Sequence, residues 1–341
     1  MDPLYLVAGA LVLALVVLDV LWTTLWVDGG SGPLSSRLTT GIWQGLRIAS
    51  GDRSRALSLA GPLILAATLV VWIGLLWLGW TLLFAGGQPA LVSTHTGEPA
   101  DWTGRLYYVA YTMFTNGNGD YTPTTGSWEI ASALTTASGM AFVTLAVSYV
   151  LSVLGAVSEK RSFASDVTGL GESPEAFVRS SLSEEGFRGL ELPLESMADQ
   201  LSLLADQHES YPILHYYHSE DRDRASAVGV AILDESLSVY RHGVVADPPN
   251  ETLVTDARAS VDSYLETLET AFVDPAEEVP PPPAPALETL READVSTVED
   301  ESFEESIAES ADRRRKLLGM VRADAREWST DGSGLEGDDA A

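Results

Sequence analysis

The sequence predicts an all-α membrane protein: three transmembrane helices, a re-entrant helix and loop between the second and third, and a helical cytoplasmic domain. Three observations predict it. Leu4–Val27, Gly61–Ala85 and Ser127–Val157 contain no lysine or arginine, and each meets the roughly 20 apolar residues that a bilayer crossing needs. Between the last two, Trp102–Phe114 is apolar and aromatic but too short to cross. Beyond residue 160 the chain turns acidic, with apolar residues recurring at helical spacing.

Charge separates the two halves. The 341 residues carry 49 acids and 20 bases, a formal net charge of -29, yet 45% of them are hydrophobic. Residues 1–159 hold nine acids and five arginines, whereas 160–341 hold 40 acids and 15 bases. No cysteine is present, which excludes a disulfide framework and any Cys-ligated metal. No basic face is available to neutralise phosphates, so nucleic acid is not an expected partner. Lys160 and Lys316 are the only lysines. An acid-rich, lysine-poor surface suits a salt-accumulating cell, where screening relieves self-repulsion. No nucleophile elbow or phosphate loop occurs, so no enzyme and no cofactor is expected.

Taken in order, residues 1–27 form an extra transmembrane helix. Asp2 stands where a cleavable leader would have a basic residue. Asp19 lies inside this span, either as a gating group or as a neutral group reaching the interface. Residues 28–60 form a linker carrying Arg37, Arg47, Arg53 and Arg55, and the third span ends in Glu159-Lys160-Arg161. Arginine and lysine collect on the cytoplasmic side. That places the linker and the C-terminal half inside, and the N-terminus and residues 86–126 outside. No span contains an arginine ladder, which excludes arginine-based voltage sensing.

Trp102–Phe114 has no proline, and as a helix it reaches about 19 Å, to mid-bilayer and no further. Thr115–Asp120 then returns extended over about 20 Å. Non-helical backbone at that depth is tolerated only within protein or along a water-filled path. Gly117 and Gly119 permit the backbone to turn successive carbonyls to one side. Together with the Thr115 hydroxyl, such carbonyls replace the hydration shell of a monovalent cation.

The run Thr115-Asn-Gly-Asn-Gly-Asp120, with Pro123 and Thr125 after it, resembles the pore loop of the potassium-channel superfamily, whose signature is Thr-Val-Gly-Tyr-Gly-Asp. The resemblance covers about residues 61–157. It implies a homotetrameric pore domain over 61–158, with an outer helix 61–85, pore helix 102–114, filter 115–120 and inner helix 127–157. Within the filter the ion-binding residues would be Thr115, Asn116, Gly117, Asn118, Gly119 and Asp120. Tyr107 and Tyr108 would be the pore-helix aromatic pair, Thr112 the pore-helix threonine, and Gly139 the inner-helix hinge. The partners implied are further copies of the chain and the lipid bilayer. Asn116 and Asn118 replace the family's apolar filter residues and must brace the loop through hydrogen bonds. Potassium selectivity and weak cation selectivity therefore both stay open, as does a non-conducting membrane-anchored sensor or scaffold for the helical cytoplasmic domain. Glu98, Asp101, Asp120 and Glu129 flank the loop as candidates for concentrating cations. A single loop per chain requires several identical chains around the axis.

Residues 159–185 read as a linker, 186–273 as a helical bundle, and 274–341 as a proline tract, an acidic helix and a disordered tail. The bundle is a candidate for an unidentified ligand. His208, His215 and His218 are spaced seven and three apart, open to a metal or pH-sensing role or to plain packing. Asp312-Arg-Arg-Arg-Lys316 is the one basic cluster.

Overall fold

The computed structural model describes residues 1–26, 30–50, 57–182, 186–245, 250–271 and 279–328. Arg53, Arg55, residues 274–278 and the tail from 329 lie outside them. The chain is an all-α membrane protein, and among the described residues three helices are long and apolar enough to span a bilayer. It divides into two units, Met1–Gly45 with Pro62–Leu154, and Leu46–Gly61 with Gly155–Ala341.

In the first unit, helix α1 (Pro3–Leu25) starts where the Asp2 carboxylate accepts the Leu4 N–H at 3.1 Å, a side-chain cap followed by proline in the first turn. Helix α2 (Pro33–Ser50) occupies the segment expected to be a plain linker. Helix α3 (Ala60–Gly86) lies close against α1. A Cβ added to Gly9 would meet the Leu83 nitrogen at 2.7 Å, and one added to Gly86 would meet Leu6 at 2.5 Å. Small residues permit such approach between apolar helices.

Three short elements follow. Strand β1 (Leu91–Ser93) pairs antiparallel with β2 (Tyr121–Pro123), Val92 opposite Thr122, and between them stands helix α4 (Trp102–Met113). Helix α5 (Gly126–Leu170) is 45 residues long. It continues through the segment expected to be a linker because Phe163, Ala164 and Val167, all 0% exposed, are core residues of the second unit. The polar Glu159-Lys160-Arg161 marks a change of surroundings, not the end of the helix.

The second unit holds α6 (Pro174–Ser180), α7 (Glu191–Ser210), α8 (Ser226–Ser238), α9 (Glu251–Ala271), α10 (Leu287–Arg291), α11 (Asp300–Ala308) and α12 (Ala311–Ala323), with α6, α9 and α12 packed against α8. Every residue of α8 is buried, including Asp234 and Glu235. Buried charges need partners. Arg313 reaches Asp234 at 2.8 Å and Arg314 reaches Glu235 at 2.7 Å. Arg313 and Arg314 of the basic cluster thus turn inward, and the core continues past residue 273. Leu287, Leu290, Phe303, Leu317 and Val321 complete the same core.

Candidate functional site

Helix α4 begins where the Asp101 carboxylate accepts the Gly104 N–H at 2.7 Å. It ends in a Schellman arrangement. The Thr115 N–H donates to the Thr112 carbonyl at 3.1 Å and the Asn116 N–H to the Tyr111 carbonyl at 2.7 Å. This requires a left-handed residue after the cap, and Thr115 supplies it with φ 59°. Gly117 (φ 60°) and Gly119 (φ 81°) are left-handed too. Asn116 and Asn118 are not, so the backbone alternates in hand from Thr115 to Gly119. The sequence anticipated the two glycines but not the threonine.

The two asparagines brace the loop through side-chain hydrogen bonds. Asn116 Nδ2 donates to Asn118 Oδ1 at 2.9 Å, and Asn118 Nδ2 donates to the Tyr107 hydroxyl. That hydroxyl donates to Asp120 Oδ2 at 2.9 Å, and His95 Nε2 lies 3.3 Å from Asp120 Oδ1. From the β1 side, the Thr94 hydroxyl donates to the Gly119 carbonyl at 2.9 Å and the Thr94 N–H to the Asp120 carbonyl at 2.9 Å. Tyr111 holds both ends of the loop. Its carbonyl receives Asn116, and its hydroxyl receives the Tyr121 N–H at 3.2 Å while donating to the Tyr121 carbonyl at 3.1 Å.

Tyr107, Asn116, Asn118 and Asp120 thus form one network. Tyr108 and Thr112 are buried on the other side of α4, Tyr108 bonded to the Ser132 hydroxyl and ringed by Phe84 and Tyr111. The Thr112 carbonyl accepts the Thr136 hydroxyl at 3.3 Å. Gly139 sits on α5 against the end of α4, where a Cβ would fall 2.1 Å from the Met113 carbonyl oxygen. The obstacle to a side chain there is a neighbouring backbone. Thr94, His95 and Tyr111 were missed as bracing residues. Tyr111 could have been found, one turn after Tyr107 on the same face; nothing in the sequence marked Thr94 or His95.

Other candidates lie elsewhere. Asp19 is fully buried and caps α2, accepting the Leu34 N–H at 2.7 Å, the Ser35 hydroxyl at 2.6 Å and Trp72 Nε1 at 2.7 Å. Four of its lone-pair directions are directed at structural donors, since Ser35 N–H also lies at 3.3 Å. Asp101 serves as the α4 cap, and Arg105 lies 5.7 Å over the Trp102 ring. His208 donates from Nδ1 to the Leu204 carbonyl at 2.9 Å and packs edge-on against Tyr264, while His218 bonds Asp324 at 3.1 Å. Burial, with Lys160 nearby, pushes the His208 imidazole well below its usual range. Among the described residues no group of three or more His, Asp or Glu is placed to hold a metal.

Residues 66–156 match the family described as an ion channel. The chain is also 39% identical over 329 residues to the uncharacterized membrane protein YdjJ of Bacillus subtilis, with 96% of each chain covered. No solved structure matches it.

Proposed function

The chain belongs to one family with that Bacillus subtilis membrane protein and carries an ion-channel domain, and on that premise we propose that it forms a homotetrameric pore for monovalent cations. Thr115–Gly119 of four chains would line the axis as the selectivity filter, with Asp120 at its outer end. The observation that carries this reading is the alternation of hand at Thr115, Gly117 and Gly119 directly on the C-terminal end of α4. Alternating hand turns successive carbonyls to one side, and a helix C-terminus brings about half a negative charge to the start of the row. A cation stripped of water needs both.

Two further features support the reading. Phe114–Gly119 are exposed in a single chain, although backbone at membrane depth needs protein or a water path around it. Met140, Val143, Val147 and Leu151 also stand 46–65% exposed along α5, a face for lipid or for further copies. In this reading the N-terminus is outside and the second unit is cytoplasmic, in the cell membrane. The permeating ion is potassium. The second reading, a weakly selective cation pore, is favoured by Asn116 and Asn118, whose bracing runs through exposed hydrogen bonds instead of apolar packing.

Flux from liposomes containing the purified chain tests both readings. Potassium flux with a reversal potential that follows the potassium gradient supports the first, and equal potassium and sodium permeability supports the second. Gly117→Ala places a Cβ on a left-handed residue, at roughly 1–2 kcal/mol in each subunit, and should abolish flux while insertion and assembly persist. A folded tetramer without flux, or a conducting Gly117→Ala variant, overturns the pore.

A further inference from the structure

In the second unit, the segment Glu172–Glu175, helix α8 and the strap Pro283–Pro285 border a cleft of about 520 Å³, counting the part open to solvent. Val228, Ala231 and Ile232 of α8 line it with Val321, and Trp328 forms part of its wall. The strap is tied down at two points. The Ala286 N–H donates to Glu175 Oε1 at 2.7 Å, and Arg314 Nη2 donates to the Pro283 carbonyl at 2.7 Å. The cleft is therefore part of the packed fold.

One polar group in it is unsatisfied. Glu235 is 1% exposed and lines the cleft. Its Oε1 receives Arg314 Nε at 2.7 Å, whereas its buried Oε2 has no hydrogen-bond partner among the described residues. A buried acceptor without a donor is destabilising, and more so when charged. Arg314 spends its Nη2 on the strap and does not close the gap. Burial pushes the Glu235 carboxyl up to about 7 in spite of Arg314, so near neutrality a charged donor would complete its ionisation.

The lining narrows the chemistry of that donor. Glu172, Glu175 and Glu327 line the cleft against a single cation, Arg222, which disfavours an anion. A hard metal ion wants six or more oxygens, and among the described residues no three carboxylates or imidazoles are grouped to hold one. An aromatic wall suits an organic cation. We propose that this cleft binds a small molecule bearing a protonated amine on an apolar body, with the ammonium on Glu235 Oε2 and the body between α8 and Trp328. The site is independent of the pore and gives the second unit a ligand of defined class.

Calorimetric titration of the full chain in a zwitterionic detergent tests this, with n-butylamine, n-butyrate and n-butanol as matched probes. n-Butylamine should saturate one site per chain and bind at least tenfold more tightly than either of the others. Ala284→Trp fills the cleft from the strap without touching Glu235 or Arg314 and should weaken the amine at least tenfold; Glu235→Gln should do the same. Equal binding of butyrate or butanol, no binding of the amine, or amine binding unchanged in Ala284→Trp would each overturn the proposal. Because the readout is binding, a failure of ion flux leaves the result intact.

Discussion

Gly139 and Met113 touch through backbone: a Cβ on the glycine would lie 2.1 Å from the Met113 carbonyl oxygen and 2.9 Å from its carbonyl carbon. The end of α4, from which the loop departs, therefore rests directly on α5. Relief requires one helix to move against the other, and packed interiors resist such movement.

Gly139→Ala should accordingly disrupt the site as severely as a change in the loop itself, with loss of flux and a lower melting temperature. The paired control is Gly155→Ala on the same helix, where nothing stands within 4 Å. There alanine should be neutral or stabilise by up to about 1 kcal/mol. Thermal unfolding in detergent and liposome flux, measured on both variants, check the contrast.

Tyr107→Phe removes the hydroxyl that joins Asn118 to Asp120 and leaves the ring in place. Each lost hydrogen bond is worth about 0.5–1.5 kcal/mol, too little to unfold the chain but enough to loosen the loop. The expected outcome is normal assembly with a lowered potassium-to-sodium permeability ratio. Reversal potentials in mixed gradients measure it, and an unchanged ratio would remove the bracing role.

Asp19→Ala strips acceptors from Trp72 Nε1, the Leu34 and Ser35 N–H groups and the Ser35 hydroxyl. Buried donors left unpaired cost about 1–3 kcal/mol each. The variant should melt at clearly lower temperature or fail to fold, whereas Asp19→Asn, which keeps one acceptor, should fall between. A gating role alone would leave the melting temperature unchanged.

Two buried groups of the second unit oppose each other on acidification. The Glu235 carboxyl is raised from 4.5 to about 7 by burial, so its contribution is fully present below pH 4.5 and is lost as pH rises through 7. The His208 imidazole is held well below 6.5 by burial, so its contribution is present above pH 6.5 and is lost as pH falls through its folded value. Between pH 7 and 5, Glu235→Gln should therefore lose stability more steeply than the parent, by on the order of 2–3 kcal/mol. His208→Leu should lose it less steeply. Denaturant titrations at a series of pH values read both slopes.

The spans were legible because bilayer thickness imposes a length, and Gly61–Ala85 meets it whatever surrounds it. The loop was legible because Gly117 and Gly119 are local requirements of the backbone. Asp19 was visible as an anomaly but not as a cap, since Ser35 and Trp72 reach it from two other helices. The ribbon was hidden: three-residue strands are too short to show alternation, and Pro123 argues against a strand. The bundle's extent was hidden too, because the partners of Arg313 and Arg314 lie 79 residues back in the chain. A cluster of like charges carries no sign of acids buried so far away.

Tyr111 grips the loop at both ends, its carbonyl taking Asn116 and its hydroxyl taking Tyr121. The stretch between these anchors is thus a closed ring of fixed circumference. Inserting or deleting one residue would shift the left-handed positions out of phase with the helix end, turning every later carbonyl to the opposite side. Substituting a side chain would do no such thing, provided another way of bracing the ring is found. Tolerance at this site is therefore divided: residues 116 and 118 can change wherever the bracing they supply is kept, while the number of residues from Tyr111 to Tyr121 cannot.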